Sequence, residues 1–207
     1  MKRIGALVLG VLVGGCALAN VANEPAPNIY VLTAPAVAAG EGTAMDVQVL
    51  VEVPTAPAAI DTNRIVYQPT PNEIQYYADA RWSDRAPQMV QTLFAETLEN
   101  THRLLAVSRQ RVGLRSDYAL QSELRTFAAR PAESGSAPVV EIRFNVKVLR
   151  EADDQIVASK MFVAQETAES SSIRSVVDAF DRALGSVLAD AAPWTVEKMG
   201  GSPVVPQ

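Results

Sequence analysis

Between Glu141 and Val148 the chain alternates. Ile142, Phe144, Val146 and Val148 fall on one side, and Glu141, Arg143, Asn145 and Lys147 on the other. Successive side chains of an extended strand point to opposite faces, so this run has one face for water and one for a core. Such a strand needs a sheet around it and something apolar to lie against. The run extends over Val139 to Leu149. Asp153-Asp154 separates it from a second long strand, Gln155 to Glu166, so the two form a hairpin. Tyr118 to Phe127 supplies a third long strand.

Further strands precede these. Met45 to Val53 alternates apolar and mostly polar residues, and Pro54 to Pro57 ends it. Arg64-Ile-Val-Tyr67 and Glu73-Ile-Gln-Tyr-Tyr77 flank Pro69-Thr-Pro71-Asn72 and read as another hairpin. Ile29 to Leu32 is a short strand.

Two segments switch to a helical period. Val90, Leu93, Phe94, Thr97 and Leu98 fall at i, i+3, i+4, i+7 and i+8, with Ser83 or Asp84 as cap and Pro87 in the first turn. Ile173, Val176, Val177, Phe180, Leu184, Val187, Leu188 and Ala191 form a longer stripe after the cap cluster Ser170-Ser171-Ser172. Pro193 marks a break or bend near the end of that helix. The order β, β, hairpin, α, β, hairpin, α predicts an α+β domain: an antiparallel sheet with two main helices packed on one face.

The N-terminus is of another kind. Lys2 and Arg3 precede an apolar stretch from Ile4 to Ala19. A membrane span needs about 20 apolar residues, and a shorter run ending in small residues reads as a signal peptide. Val13-Gly14-Gly15-Cys16 contains the only cysteine of the chain and resembles the bacterial lipobox, in which the cysteine is acylated and the signal is cut just before it. The alternative is a plain signal with a chance cysteine, cleaved near Ala17-Leu18-Ala19. With Cys16 acylated, no thiol is left for a disulfide, and the fold must stand on packing. Two or more acyl chains hold a protein stably on a membrane. The organisation expected is therefore a lipoprotein signal peptide at 1–15, a lipidated tether at 16–27, an α+β domain at 28–199 and a flexible tail at 200–207. Ala17 in place of Asp after the cysteine favours delivery to the outer membrane over retention at the inner one.

Removing Lys2 and Arg3 takes the formal charge from −5 to −7. That argues against nucleic acid as a partner, and against recruitment to anionic lipid by overall charge. No catalytic group stands out. The single histidine, His102, lies at the end of the first helix, where the helix dipole favours a cation. No G-x-S-x-G elbow exists; Glu133-Ser134-Gly135-Ser136 is a polar loop, and Gly40-Glu41-Gly42 precedes a strand instead of opening a helix. A metal site needs several His or Cys together, so neither metal nor cofactor is expected. The concentration of aromatic residues in Tyr76-Tyr77-Ala78-Asp79-Ala80-Arg81-Trp82 is more telling. Tyr76, Tyr77, Arg81 and Trp82 are candidates for an interface. The bland alternative puts Tyr76 and Trp82 in the core at the strand-to-helix corner, with Arg81 on the surface or paired with an acid.

The chain resembles the ABC-type transport auxiliary lipoprotein family, the PqiC-like partners of Mce-type lipid transport systems. The resemblance runs over residues 28–195. It begins with the lipobox at Cys16 and the Asn28-Ile-Tyr30-Val-Leu32 opening. It continues through Ile65-Val-Tyr67, Asn72-Glu-Ile-Gln-Tyr-Tyr77 and Ala80-Arg81-Trp82-Ser83-Asp84-Arg85, and ends in the helix carrying Val176-Val177-Asp178-Ala179-Phe180. Ser83 departs from the alanine more usual there. The resemblance implies a non-enzymatic, palmitate-bearing lipoprotein on the periplasmic face of the outer membrane, docking an Mce-domain protein of an ABC lipid transporter. Homo-oligomerisation follows by analogy with ring-like Mce assemblies. The rival readings are an accessory lipoprotein of another outer-membrane assembly or secretion complex and, last, a periplasmic hydrolase resting on His102.

Overall fold

The computed structural model describes residues 26–37, 43–111, 115–132, 135 and 137–200. The expected signal peptide, Cys16, most of the tether, Gly40-Glu41-Gly42 and residues 201–207 lie outside the described residues.

Eight strands and two helices follow in the order β1 (Asn28–Tyr30), β2 (Met45–Val51), β3 (Arg64–Thr70), β4 (Glu73–Trp82), α1 (Ala86–Asn100), β5 (Leu104–Ser108), β6 (Tyr118–Arg130), β7 (Val139–Arg150), β8 (Gln155–Thr167) and α2 (Ile173–Gly200). The fold is α+β, and its eight-stranded sheet is mixed. The two hairpins read from the sequence are antiparallel, β3 with β4 and β7 with β8, and β6 joins β7 antiparallel. The remaining pairings are parallel.

β6 is the hub. One edge runs along β7 from Tyr118↔Arg150 to Arg130↔Val139. The other edge is shared by three segments in turn: β2 at Val49↔Tyr118, a bridge at Thr55↔Glu123, and β3 at Tyr67↔Ala129. The Pro54–Pro57 stretch thus ends β2 without leaving the sheet, because the Thr55 N–H donates to the Ser122 carbonyl (2.9 Å) and the Leu124 N–H to the Thr55 carbonyl (2.8 Å). β5, parallel to β2, is a strand that periodicity did not mark.

α1 lies over β2 and β5 and α2 over β7 and β8, and the helices touch each other. Their apolar stripes close one core with Ile142, Phe144, Val146 and Val148 of β7, all fully buried. Trp82, Phe127 and Phe180 form its aromatic centre, with ring centroids 4.9 to 5.8 Å apart. Ser172 caps α2, its hydroxyl accepting from the Ser175 N–H (3.3 Å). The helix passes through Pro193 and continues to Gly200, so the proline neither ends it nor frees residue 200 for the tail. The cap of α1 also departs from expectation. Arg85 holds the position with no side-chain cap bond, while the Asp84 carboxylate accepts from the Arg85 N–H (2.7 Å) instead of reaching into the first turn.

Candidate functional site

His102 follows the C-cap of α1 with φ 53°, and its N–H donates to the Glu99 carbonyl (3.0 Å). It fills the left-handed position where a helix usually ends in glycine. Its ring is exposed. Among the described residues, no three of His, Cys, Asp and Glu gather in a way that could hold a metal ion.

The aromatic stretch of β4 is where side chains converge. The hairpin begins regularly, with Tyr67 opposite Gln75 and Val66 opposite Tyr76. It then bulges: Arg64 stands opposite Arg81, so two steps along β3 are matched by five along β4. A bulge leaves backbone carbonyls without ladder partners. The Arg81 guanidinium takes them up, donating through Nη1 to the carbonyls of Tyr77 (3.1 Å), Ala78 (3.0 Å) and Ala80 (2.7 Å). It is not loose on the surface, and among the described residues it is paired with no acid.

Just past the bulge β4 regains a partner, running parallel to β1 with Tyr30 opposite Trp82. Trp82 then turns inward, 1 % exposed, against Phe127 and Phe180. It offers no surface to a partner. Of the four candidate interface residues, it is the one that burial removes, and it fixes the corner from which α1 departs.

Tyr76 and Tyr77 point to opposite faces, as adjacent strand residues must. On the outer face, the Arg64 guanidinium lies 3.7 Å from the centroid of the Tyr76 ring, and the Tyr76 hydroxyl donates to the Ala59 carbonyl (3.2 Å). On the helix side, Tyr77 meets Tyr67 edge-on, centroids 5.9 Å apart. A groove of about 420 Å³ opens there, lined by Tyr67, Gln75, the two β4 tyrosines, Pro138 before β7 and Ser171 before α2. Burial, and then the neighbouring Tyr67, push the Tyr77 hydroxyl up to about 12. Tyr77 therefore stays neutral, and the tyrosines offer apolar ring faces and hydroxyl groups, which is the chemistry of a contact surface. Tyr67 and Ser171 were not among the sequence candidates. Tyr67 was within reach: pairing the hairpin through its turn places it opposite Gln75, on the face of Tyr77. Ser171 arrives only through the tertiary return of β8 into α2.

Residues 30–192 match the family described as ABC-type transport auxiliary lipoprotein component. The chain belongs to that family. Its structure is similar to the crystal structure of protein XCC0632 from Xanthomonas campestris, a DUF330 protein. The two are 31% identical with a TM-score of 0.76, over 84% of this chain and 97% of that one. A second crystal structure, of a protein without assigned function, shares the fold at TM-score 0.61 and 15% identity, over 81% of this chain and 97% of the other. A curated protein of Bradyrhizobium diazoefficiens is 29% identical over 143 residues, 69% of this chain, and the match spans only 38% of that relative's own length. The family is described as the auxiliary lipoprotein component of ABC-type transport. Among the described residues, no helix is long and apolar enough to cross a membrane.

Proposed function

We propose that this chain is a non-catalytic docking subunit of an Mce-type ABC lipid transport system. Acyl chains on Cys16 hold it at the periplasmic face of the outer membrane, and the tyrosine groove beside β4 receives the Mce-domain protein. The observation that carries the reading is the family match over residues 30–192.

The groove suits the role physically. Tyrosines give large contact area at low cost in side-chain entropy, and hot spots are rich in them. Arg81 braces the backbone that carries Tyr77, so the surface is ordered before a partner arrives. Tyr76 lines the same groove beside Tyr77, its ring lying on the other face of β4, and Arg81 and Trp82 act behind it as supports. A second copy of the chain is a further partner in this reading.

Two experiments test it. The full chain is affinity-purified from detergent extracts and its companions identified by mass spectrometry. An Mce-domain protein is expected, with recovery falling on the order of 30-fold in Tyr77→Ala, the loss of a hot-spot residue. Purification without any Mce-domain partner counts against the reading. Processing and fractionation of Cys16→Ser test the anchor: the variant should carry no acyl chain and keep its signal peptide uncleaved, and normal cleavage with membrane retention refutes the lipid attachment.

A further inference from the structure

The sheet face turned away from the helices carries a charge pattern opposite to that of the whole chain. Arg143 and Lys147 stand four residues apart on the outer side of β7, both exposed. Neither forms a hydrogen bond or ion pair among the described residues. Of the other cations on this face, Arg125 is neutralised by Glu123 (2.7 Å) and Arg130 by the buried Glu141 (2.7 Å), while Arg64 is stacked over the Tyr76 ring. An acidic protein therefore keeps two uncompensated positive charges on one strand face.

Apolar side chains sit beside them. Across the ladder, Arg143 pairs with Val163, Asn145 with Met161 and Leu149 with Ile156. Val163 is 55 % exposed and Ile156 53 %, on a strand that has no neighbour beyond it in the sheet among the described residues. Long cations with apolar stems beside exposed aliphatic groups suit the boundary between phosphate headgroups and acyl chains.

We propose that this outer face of β7 and β8 rests on an anionic phospholipid surface. Two cations and a few aliphatic groups bind a membrane weakly when the protein is free in solution. A lipoprotein is not free. Its anchor makes the second contact intramolecular, where weak attraction suffices to orient the domain. The Tyr67–Tyr77 groove opens on the opposite, helix-bearing side of the sheet, so a domain lying on its outer face keeps that groove turned toward the aqueous compartment.

The test uses the full-length lipoprotein reconstituted in vesicles of phosphatidylethanolamine and phosphatidylglycerol, with pure phosphatidylcholine vesicles for comparison. A fluorophore is placed by Val163→Cys or, on the exposed side of α2, by Asp190→Cys, and is quenched by a spin-labelled lipid. Quenching is expected at 163 and not at 190, only with phosphatidylglycerol present, and it should fade in high salt. In Arg143→Gln/Lys147→Gln the ratio of apposed to free domain should fall about 30-fold. An unchanged melting temperature shows that this variant folds, and Arg143→Glu/Lys147→Glu should abolish the quenching. Equal quenching at both positions, or quenching indifferent to lipid charge, overturns the proposal. So does a change at 163 that follows protein density instead of lipid charge, which would mean that a second copy covers this face.

Discussion

The Asp181 carboxylate of α2 accepts two groups of Thr33 at once, the backbone N–H at 2.7 Å and the hydroxyl at 2.9 Å. The segment after β1 is thereby held against the helix that closes the core. Two residues on, Pro35 approaches Gly185, and a Cβ on that glycine would stand 3.8 Å from the proline ring. β1 itself has only three residues and one pairing, with β4. A load arriving along the chain from the N-terminal side meets the Thr33–Asp181 clasp next after that short ladder.

Breaking the clasp should loosen the N-terminal segment before the domain. In Asp181→Ala the hydrogen bonds to a charged acceptor are lost, but both partners are solvent-accessible. The expected destabilisation is therefore only about 1 kcal/mol. Hydrogen exchange should rise at Thr33 and through Asn28–Tyr30 while the core of β6 and β7 keeps its protection. Uniform loss of protection would mean that the clasp is integral to the core instead.

Arg81 bears on the shape of the tyrosine groove. Arg81→Ala leaves the carbonyls of Tyr77, Ala78 and Ala80 without their shared donor, at an expected cost of about 1–3 kcal/mol. Lysine has a single ammonium on a flexible stem and cannot reproduce the planar guanidinium, so Arg81→Lys should recover little. Thermal melts measure the cost. Near-ultraviolet circular dichroism should report altered packing of Tyr67 against Tyr77 in both variants. An unperturbed tyrosine signal in Arg81→Ala would show that the bulge holds without it.

How far the sequence disclosed all this depends on what each residue answers to. The β7 alternation and the α2 stripe were legible because periodicity reports burial directly, and both helices and both hairpins are where that reasoning puts them. Leu104–Ser108 was not, since LLAVS carries neither period and becomes a strand only by lying parallel to β2. The parallel pairings of β2 and β3 along one edge of β6 were hidden for the same reason, being decided by the path of residues 52–63 through space. Within the site, the aromatic cluster was visible, but its division was not. Trp82 is drawn inward by Phe127 and Phe180, and Arg81 by a bulge that no sequence period announces.

That division can be tested at Trp82. If its role is to fill the core, Trp82→Ala should cost about 3–5 kcal/mol by opening a cavity between Phe127 and Phe180. Trp82→Phe should cost distinctly less. The indole Nε1 has no hydrogen-bond partner among the described residues, so removing that N–H leaves no new orphan. Denaturant melts give both values. Partner recovery should follow the folded fraction in each variant; a loss of binding at full folding would return Trp82 to the interface.

The tyrosine pair makes a prediction in pH. Burial and then Tyr67 raise the Tyr77 hydroxyl from 10.0 to about 12. A phenol ionises by losing its proton, so a folded value above the unfolded one means that folding favours the neutral ring. The contribution is fully present below the unfolded value of 10.0 and is lost as pH rises through about 12. Absorbance at the phenolate band should therefore reveal one tyrosine ionising well above the usual range. Stability should fall more steeply between those two values in the native protein than in Tyr77→Phe. In Tyr67→Phe the Tyr77 transition should move down only slightly, because burial is the larger cause. If all the tyrosines ionise together near the ordinary value, the Tyr67–Tyr77 pair is open to water and the groove loses its preformed wall.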